Sequence, residues 1–256
     1  MPTHSKPINR SDTTNKKTRK RERGAVTVYD ILREDILSLK LAAGSAIDEI
    51  SLAERFNLSR TPIREALFML SSENLVTFLA NRTSIVTPHS MENANAYFDT
   101  LILLSRAVFI NAAVERSAKD ISRIKSAINS YQEALFTEDL YQIVTKDINL
   151  KYSICNSTNN YFYNKYYPNC LDSGRRMKWL HYYPEATSTD LQKTILDMQA
   201  LITAIEDRDQ SKCDQLAISH VDSIIEVIQR SMVPSVSKTI DLTITESTNL
   251  QIRKSE

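Results

Sequence analysis

Glycine is almost missing from this 256-residue chain: only Gly24, Gly44 and Gly174 occur, and no two lie closer than twenty residues. Phosphate-cradling loops need several glycines within about ten residues, so nucleotide-binding folds of that kind are excluded. Barrels and sandwiches rich in tight turns are disfavoured for the same reason. Cysteine is scarce as well. Cys155, Cys170 and Cys213 make an odd count with no C-x-x-C pair, which suggests neither a disulfide framework nor a zinc knuckle, and free thiols are expected. No apolar run approaches the roughly 18 residues of a membrane span, and the opening residues lack the apolar stretch of a signal peptide. A cytoplasmic protein with no membrane partner is expected.

A strong overall charge is also absent, since the formal net charge is +1. The distribution is uneven, however. Residues 1–25 carry eight basic side chains against Asp12 and Glu22, residues 26–89 carry six basic and eight acidic, and residues 90–256 carry 18 basic and 21 acidic. The polar, basic first 25 residues read as a disordered arm. Such an arm either neutralises nucleic-acid phosphates or is simply a solvated end.

What is present is helical periodicity. Val28, Ile31, Leu32, Ile36 and Leu39 predict a first helix near 26–39, broken by Gly44. Asp48 is placed to cap a second short helix that buries Leu52, Ala53 and Phe56. A turn at Asn57-Leu58 leads to Ser59, the predicted N-cap of a third helix from Arg60 to Ser72, with Pro62 in its first turn and Ile63, Ala66, Leu67 and Leu70 inward. Two β-like stretches, Leu75–Leu79 and Ser84–Thr87, predict a hairpin. Helix, helix, turn, helix, hairpin is the order of a winged helix-turn-helix. From Glu92 to Met232 six helices are predicted, with breaks near Lys119, Thr137, Asn156–Asn160, Pro168, Pro184–Ser188 and Asp207–Asp209. The predicted fold is mainly α: a DNA-binding winged helix-turn-helix over 26–89, an antiparallel helical bundle over 90–232, and a flexible tail over 233–256. Within that tail Thr239–Thr245 alternates like a strand without a partner.

Arg60 and Arg64 lie one turn apart at the start of the third helix. Two readings are open. Their guanidinium groups reach guanine edges or phosphates while Ser59 and Thr61 hold phosphate oxygens, or they form a solvated Arg–Glu face.

The run Ser59-Arg60-Thr61-Pro62-Ile63-Arg64-Glu65-Ala66-Leu67 resembles the recognition helix of GntR-type bacterial transcriptional regulators, and Tyr29–Arg33 and Leu52–Glu54 fit the same reader domain. The resemblance covers 26–88. It implies that Arg60 and Arg64 read DNA, that Ser59 and Thr61 hold the backbone, and that Arg82 lies at the wing tip. The chain departs from the pattern at Leu39 and Thr83, where the family usually has glycine.

Residues 92–232 resemble the helical effector domain of the FadR-like branch, the FCD type. Asp147 and Asn160 fit one register mark, and Ala204–Asp209 followed by His220 fits another. Many members hold a divalent metal there with one Asp and three His. Here the four positions are Asp147, Lys151, Met198 and His220. An ammonium has no lone pair to give and a thioether is a poor ligand for such metals, so no metal or other cofactor is expected. Asp147 and Lys151 then form either a structural ion pair or a cationic stand-in that receives an effector, with His220 a core histidine in the first case. The resemblance also implies that Arg106 points toward the ligand cavity, whereas alone it reads as a surface arginine. The aromatics Tyr161–Tyr163, Tyr166, Tyr167, Trp179, Tyr182 and Tyr183 line a pocket or pack the core.

The expected function is a homodimeric transcriptional regulator, most simply a repressor. It reads double-stranded DNA at a palindromic operator and senses a small molecule, such as an organic acid, through Arg106, Asp147, Lys151, Met198 and His220. The alternative is a constitutive DNA-binding dimer whose effector domain takes no ligand. An enzyme built on Asp147, His181 and His220 is not expected, because no nucleophile–base spacing or complete metal set supports it.

Overall fold

The computed structural model describes residues 10–80, 83–137 and 139–232, with side chains from Glu22 onward. Its first unit opens with α1 (Arg10–Leu37), then β1 (Ala46–Ile47), α2 (Glu49–Phe56), α3 (Arg60–Ser72), β2 (Val76–Phe78) and β3 (Ser84–Val86). The second contains α4 (Ala94–Glu115), α5 (Ala118–Ala134), α6 (Leu140–Asn156), α7 (Tyr161–Ser173), α8 (Arg175–Met177), α9 (Ser188–Glu206) and α10 (Gln210–Ser231). Between α8 and α9 the backbone continues as a π-helical turn, Lys178–Tyr182.

The first correction concerns the arm. Residues 10–25, expected to be disordered, are helical and continuous with α1. Lys, Arg and Glu are good helix formers, and extending an existing helix needs no new nucleus. The tail from 233 onward, including Thr239–Thr245, lies outside the described residues, as does Arg82.

α1 and α3 form the reader core. Val28, Leu32 and Ile36 of α1 meet Ile63, Leu67 and Leu70 of α3, all fully buried. After α1 the chain turns at Leu39 with φ 61° and at Gly44 with φ 78°. The left-handed region suits Gly44 and is costly for Leu39, which stands where the pattern above has glycine. The predicted hairpin forms, with Val76 opposite Val86 and Phe78 opposite Ser84. β1 adds a third strand to it, pairing Ala46 with Ile85 and Ile47 with Ser84. Two residues are too short to show alternation, so β1 left no mark in the sequence pattern.

In the bundle, α4 runs against α10 and α5 against α6. Phe109, Tyr131, Leu150, Leu201 and Val221 are buried together in its core. Pro168 does not break the chain as expected, because α7 passes through it from Tyr161 to Ser173. Only one amide donor is missing there, and the buried Tyr167 and Leu171 anchor the helix on either side. α4 corrects a second expectation. Despite Asp99 and Arg106, an 18-residue window in it reaches a mean hydropathy of 1.4, apolar and long enough to cross a membrane by composition. Its Phe98, Leu101, Val108, Phe109, Ala112 and Ala113 are buried in the bundle.

Gly174, between α7 and α8, is needed for space. A methyl group there would overlap the hydroxyl of Tyr97 on α4. Gly174→Ala is therefore expected to lower stability by about 1–3 kcal/mol through overpacking, measured by urea unfolding.

Candidate nucleic-acid interface and the effector-domain core

The reader's helix-turn-helix is built by its caps. Asp48 accepts from Ile50 N at 2.9 Å and Ser51 N at 3.3 Å, starting α2. Asn57 closes α2 in the left-handed region at φ 51°, and Leu58 N donates to Ala53 O at 3.0 Å. Ser59 then takes an extended backbone before α3, but its hydroxyl makes no capping bond, contrary to expectation. Pro62 at the start of α3 needs no amide donor, so this helix begins without that bond.

Ser59, Arg60, Thr61 and Arg64 are all exposed at this end of α3. Arg64 Nε donates to Glu49 Oε2 at 2.8 Å while its side chain stays 58% exposed. Arg60 and Arg64 share a cleft of 340 Å³ with Asp48, Glu49, Thr83 and Ser84, so the loop end of the hairpin flanks the helix start. Four of the five predicted DNA-contacting residues are thus together.

In the bundle, three of the predicted effector residues meet as a buried charge cluster. Asp147, Lys151 and His220 are each 2% exposed. Lys151 Nζ donates to Asp147 Oδ1. Lys178 Nζ, which the sequence reading missed, donates to Oδ2 at 2.7 Å. The available signal was three cations in four residues, Arg175, Arg176 and Lys178, inside a helical stretch. Burial alone raises a carboxyl pKa, but the ammonium groups of Lys151 and then Lys178 outweigh it and hold Asp147 well below the usual range. Burial draws Lys151 down to about 8 against the attraction of Asp147. Burial, reinforced by both lysines, holds His220 far below 6.5, so its imidazole is neutral. Among the described residues its Nε2 has no hydrogen-bond partner.

Of the remaining predicted effector residues, Arg106 lies apart from this cluster. Met198 is fully buried in the apolar core. Arg106 does not point inward: it is exposed and holds Asp214 of α10 through Nε at 2.6 Å and Nη2 at 3.0 Å. An opposite charge within reach on the surface is a cheaper partner than burial. His181 approaches Ser231 Oγ at 3.3 Å, and its ring lies 5.6 Å from that of His89. The aromatics divide: Tyr167 and Tyr182 are buried, while Tyr161, Phe162 and Tyr166 are exposed on α7. Burial pushes the Cys155 thiol up to about 12, and Cys170 and Cys213 to about 11, which leaves them protonated.

These residues do not fit the family's metal. Asp147 already accepts from two ammonium groups, Lys151 offers no lone pair, and among the described residues no group of three His, Cys, Asp or Glu is placed to hold an ion.

The segment that carries Lys178 also binds the reader. Arg175 forks onto Glu34 of α1 at 2.7 and 2.8 Å, and Arg176 donates to Thr87 O beyond β3 at 2.6 Å. Arg33 of α1 reaches Asp172 of α7 at 2.9 Å and Glu73 at 2.8 Å, and Tyr152 of α6 holds the other Asp172 oxygen at 2.8 Å.

Comparison with known proteins agrees with both units. The model of bacterial regulatory proteins of the gntR family matches residues 25–86, and the FCD domain model matches residues 97–223. The HTH-type transcriptional regulator BphR of Paraburkholderia xenovorans is 25% identical over 213 residues, covering 79% of this chain and 84% of that protein. The gluconate operon transcriptional repressor of Bacillus subtilis is 27% identical over 135 residues, 47% of this chain and 55% of the relative. The repressor RspR of Escherichia coli is 39% identical over 64 residues, 25% and 28%. The chain therefore spans about half the length, or less, of these last two curated relatives. The solved structure of E. coli McbR/YncC shares the fold with a TM-score of 0.71 at 18% identity, over 81% of this chain and 97% of that one. The chain belongs to the GntR family of bacterial regulatory proteins and carries that family's FCD domain.

The cluster makes an asymmetric stability prediction. Asp147→Ala strands two buried ammonium groups and is expected to cost about 3–5 kcal/mol, whereas Lys178→Met leaves a neutral Asp147–Lys151 pair and costs under about 1 kcal/mol. Urea unfolding of the two variants checks it; equal destabilisation contradicts it.

Proposed function

We propose that this chain is a sequence-specific DNA-binding transcriptional regulator, acting as a cytoplasmic homodimer that represses by occupying a palindromic operator. The observation that carries the reading is the exposed start of α3, where Ser59, Arg60, Thr61 and Arg64 project beside the hairpin. A helix end of this kind fits a major groove, with arginines on base edges and the hydroxyls and free amides on phosphates. The repressor relatives support the sign of regulation. The role is binding, not catalysis.

Dimerisation is supported by the outer face of α4. Leu103 is 66% exposed and Val114 41%, three turns apart on a helix whose opposite face fills the bundle core. A second copy covering this stripe would place two reader helices about a two-fold axis, as a palindrome requires. The effector reading draws on Lys151, Lys178 and the unpartnered His220 Nε2, a cationic centre suited to an organic acid. One observation favours the alternative of a ligand-free effector domain: Asp147 already satisfies both ammonium groups from within the protein. A rise in melting temperature with an organic acid in chelator-treated buffer separates the two.

The test of the DNA reading is selection of bound duplexes from a random pool. Wild type is expected to enrich one palindrome, and Arg64→Ala to bind it about 10- to 100-fold more weakly, the worth of one good base contact. Equal enrichment by both proteins contradicts the assignment of Arg64.

A further inference from the structure

The reader domain meets a polyanion with the wrong charge. Residues 26–89 hold six basic and eight acidic side chains, so the recognition unit is itself net negative. Non-specific attraction to DNA comes from cations placed on phosphates, and this unit has a deficit of them. Residues 10–23 carry seven basic side chains (Arg10, Lys16, Lys17, Arg19, Lys20, Arg21, Arg23) against Asp12 and Glu22.

The fold places that charge. α1 is one helix from Arg10 to Leu37, and Ala25, 4% exposed, is the first buried residue among those whose side chains are described. One residue earlier, Gly24 lies against Leu58, whose side-chain carbons stand 3.2 Å from where a Gly24 Cβ would be. Leu58 belongs to the turn between α2 and α3 and immediately precedes Ser59. The basic part of α1 therefore leaves the domain beside the start of the recognition helix. At 1.5 Å per residue, the stretch from Arg10 to Gly24 is about 21 Å long, the rise of roughly six base pairs.

We propose that the basic first half of α1 is a second DNA-binding element, which docks on the phosphate backbone flanking the bases read by α3 and supplies most of the electrostatic affinity. It rests on the DNA-binding reading above. The division of labour is definite: α3 discriminates between sequences, and the arm attracts any duplex.

The experiment uses the full chain with Lys16, Lys17, Arg19, Lys20 and Arg21 all changed to Gln, substitutions that precede Gly24 and its contact with Leu58. Affinities for the selected palindrome and for a scrambled duplex are measured from 50 to 300 mM NaCl, with circular dichroism and size-exclusion chromatography on both proteins. Every phosphate that the variant leaves unneutralised lowers the slope of log K against log salt by about 0.9. The expected result is a slope shallower by about 3 or more. Affinity at low salt falls more than tenfold for both duplexes, and their ratio is unchanged. A slope equal to that of wild type overturns the proposal, as does a changed oligomeric state at constant slope, which would make the arm a contact between copies. Wild type that shows no preference for any duplex sinks the DNA reading itself, a result distinct from equal slopes with preference intact.

Discussion

A carboxylate cannot be buried alone, and Asp147 is buried at the centre of the bundle. Its two oxygens are satisfied by Lys151, one turn along the same helix, and by Lys178, from the segment after α7. The second bond fixes far more than a side chain. It pins the stretch Arg175–Tyr182, and from that stretch Arg175 and Arg176 reach out of the bundle to Glu34 and Thr87 of the reader. Breaking that bond in place would strand the buried Lys178 ammonium and one carboxylate oxygen without a partner, a cost that opposes local movement of this segment. One short segment thus faces the protein's interior charge on one side and its DNA-reading unit on the other. The π-helical turn sits in this segment, and such turns are frequent at functional sites.

In relatives with the four-ligand set, a divalent ion would supply positive charge at this centre. Here the chain supplies it with amino-acid side chains, and the change is coherent across positions. Lys151 and Lys178 each hold one oxygen of Asp147, and the buried His220 beside them is neutral, with no partner for its Nε2 among the described residues. The cluster carries one positive charge more than Asp147 cancels, a natural bias toward an anion over a metal.

Much of the reader was legible because its signals are local. Asp48, Asn57 and Pro62 are short-range choices that mark where α2 starts and ends and where α3 begins, and both helices form as predicted. The hairpin was legible from alternation, but β1 was too short to show any. The start of α1 was misjudged because a run of Lys and Arg reads as disorder by charge and as helix by propensity, and an attached helix decides for the latter. The charge cluster was only half visible. Asp147 and Lys151 are four residues apart and can be paired on paper, while Lys178 is brought in by the path of α7 around the bundle. Arg106 failed in the opposite way, since its partner Asp214 is 108 positions distant and outside any local pattern.

The central claim is that the interior charge of the bundle and the stance of the reader are one connected network. Hydrogen–deuterium exchange on Lys178→Met tests it most directly, because the substitution lies inside the bundle and removes a bond to Asp147 of α6. The account predicts faster exchange around Glu34 on α1 and at the end of β3 near Thr87, as Arg175 and Arg176 lose their fixed base. Exchange in the reader identical to wild type, with changes confined to residues around Asp147, would contradict it.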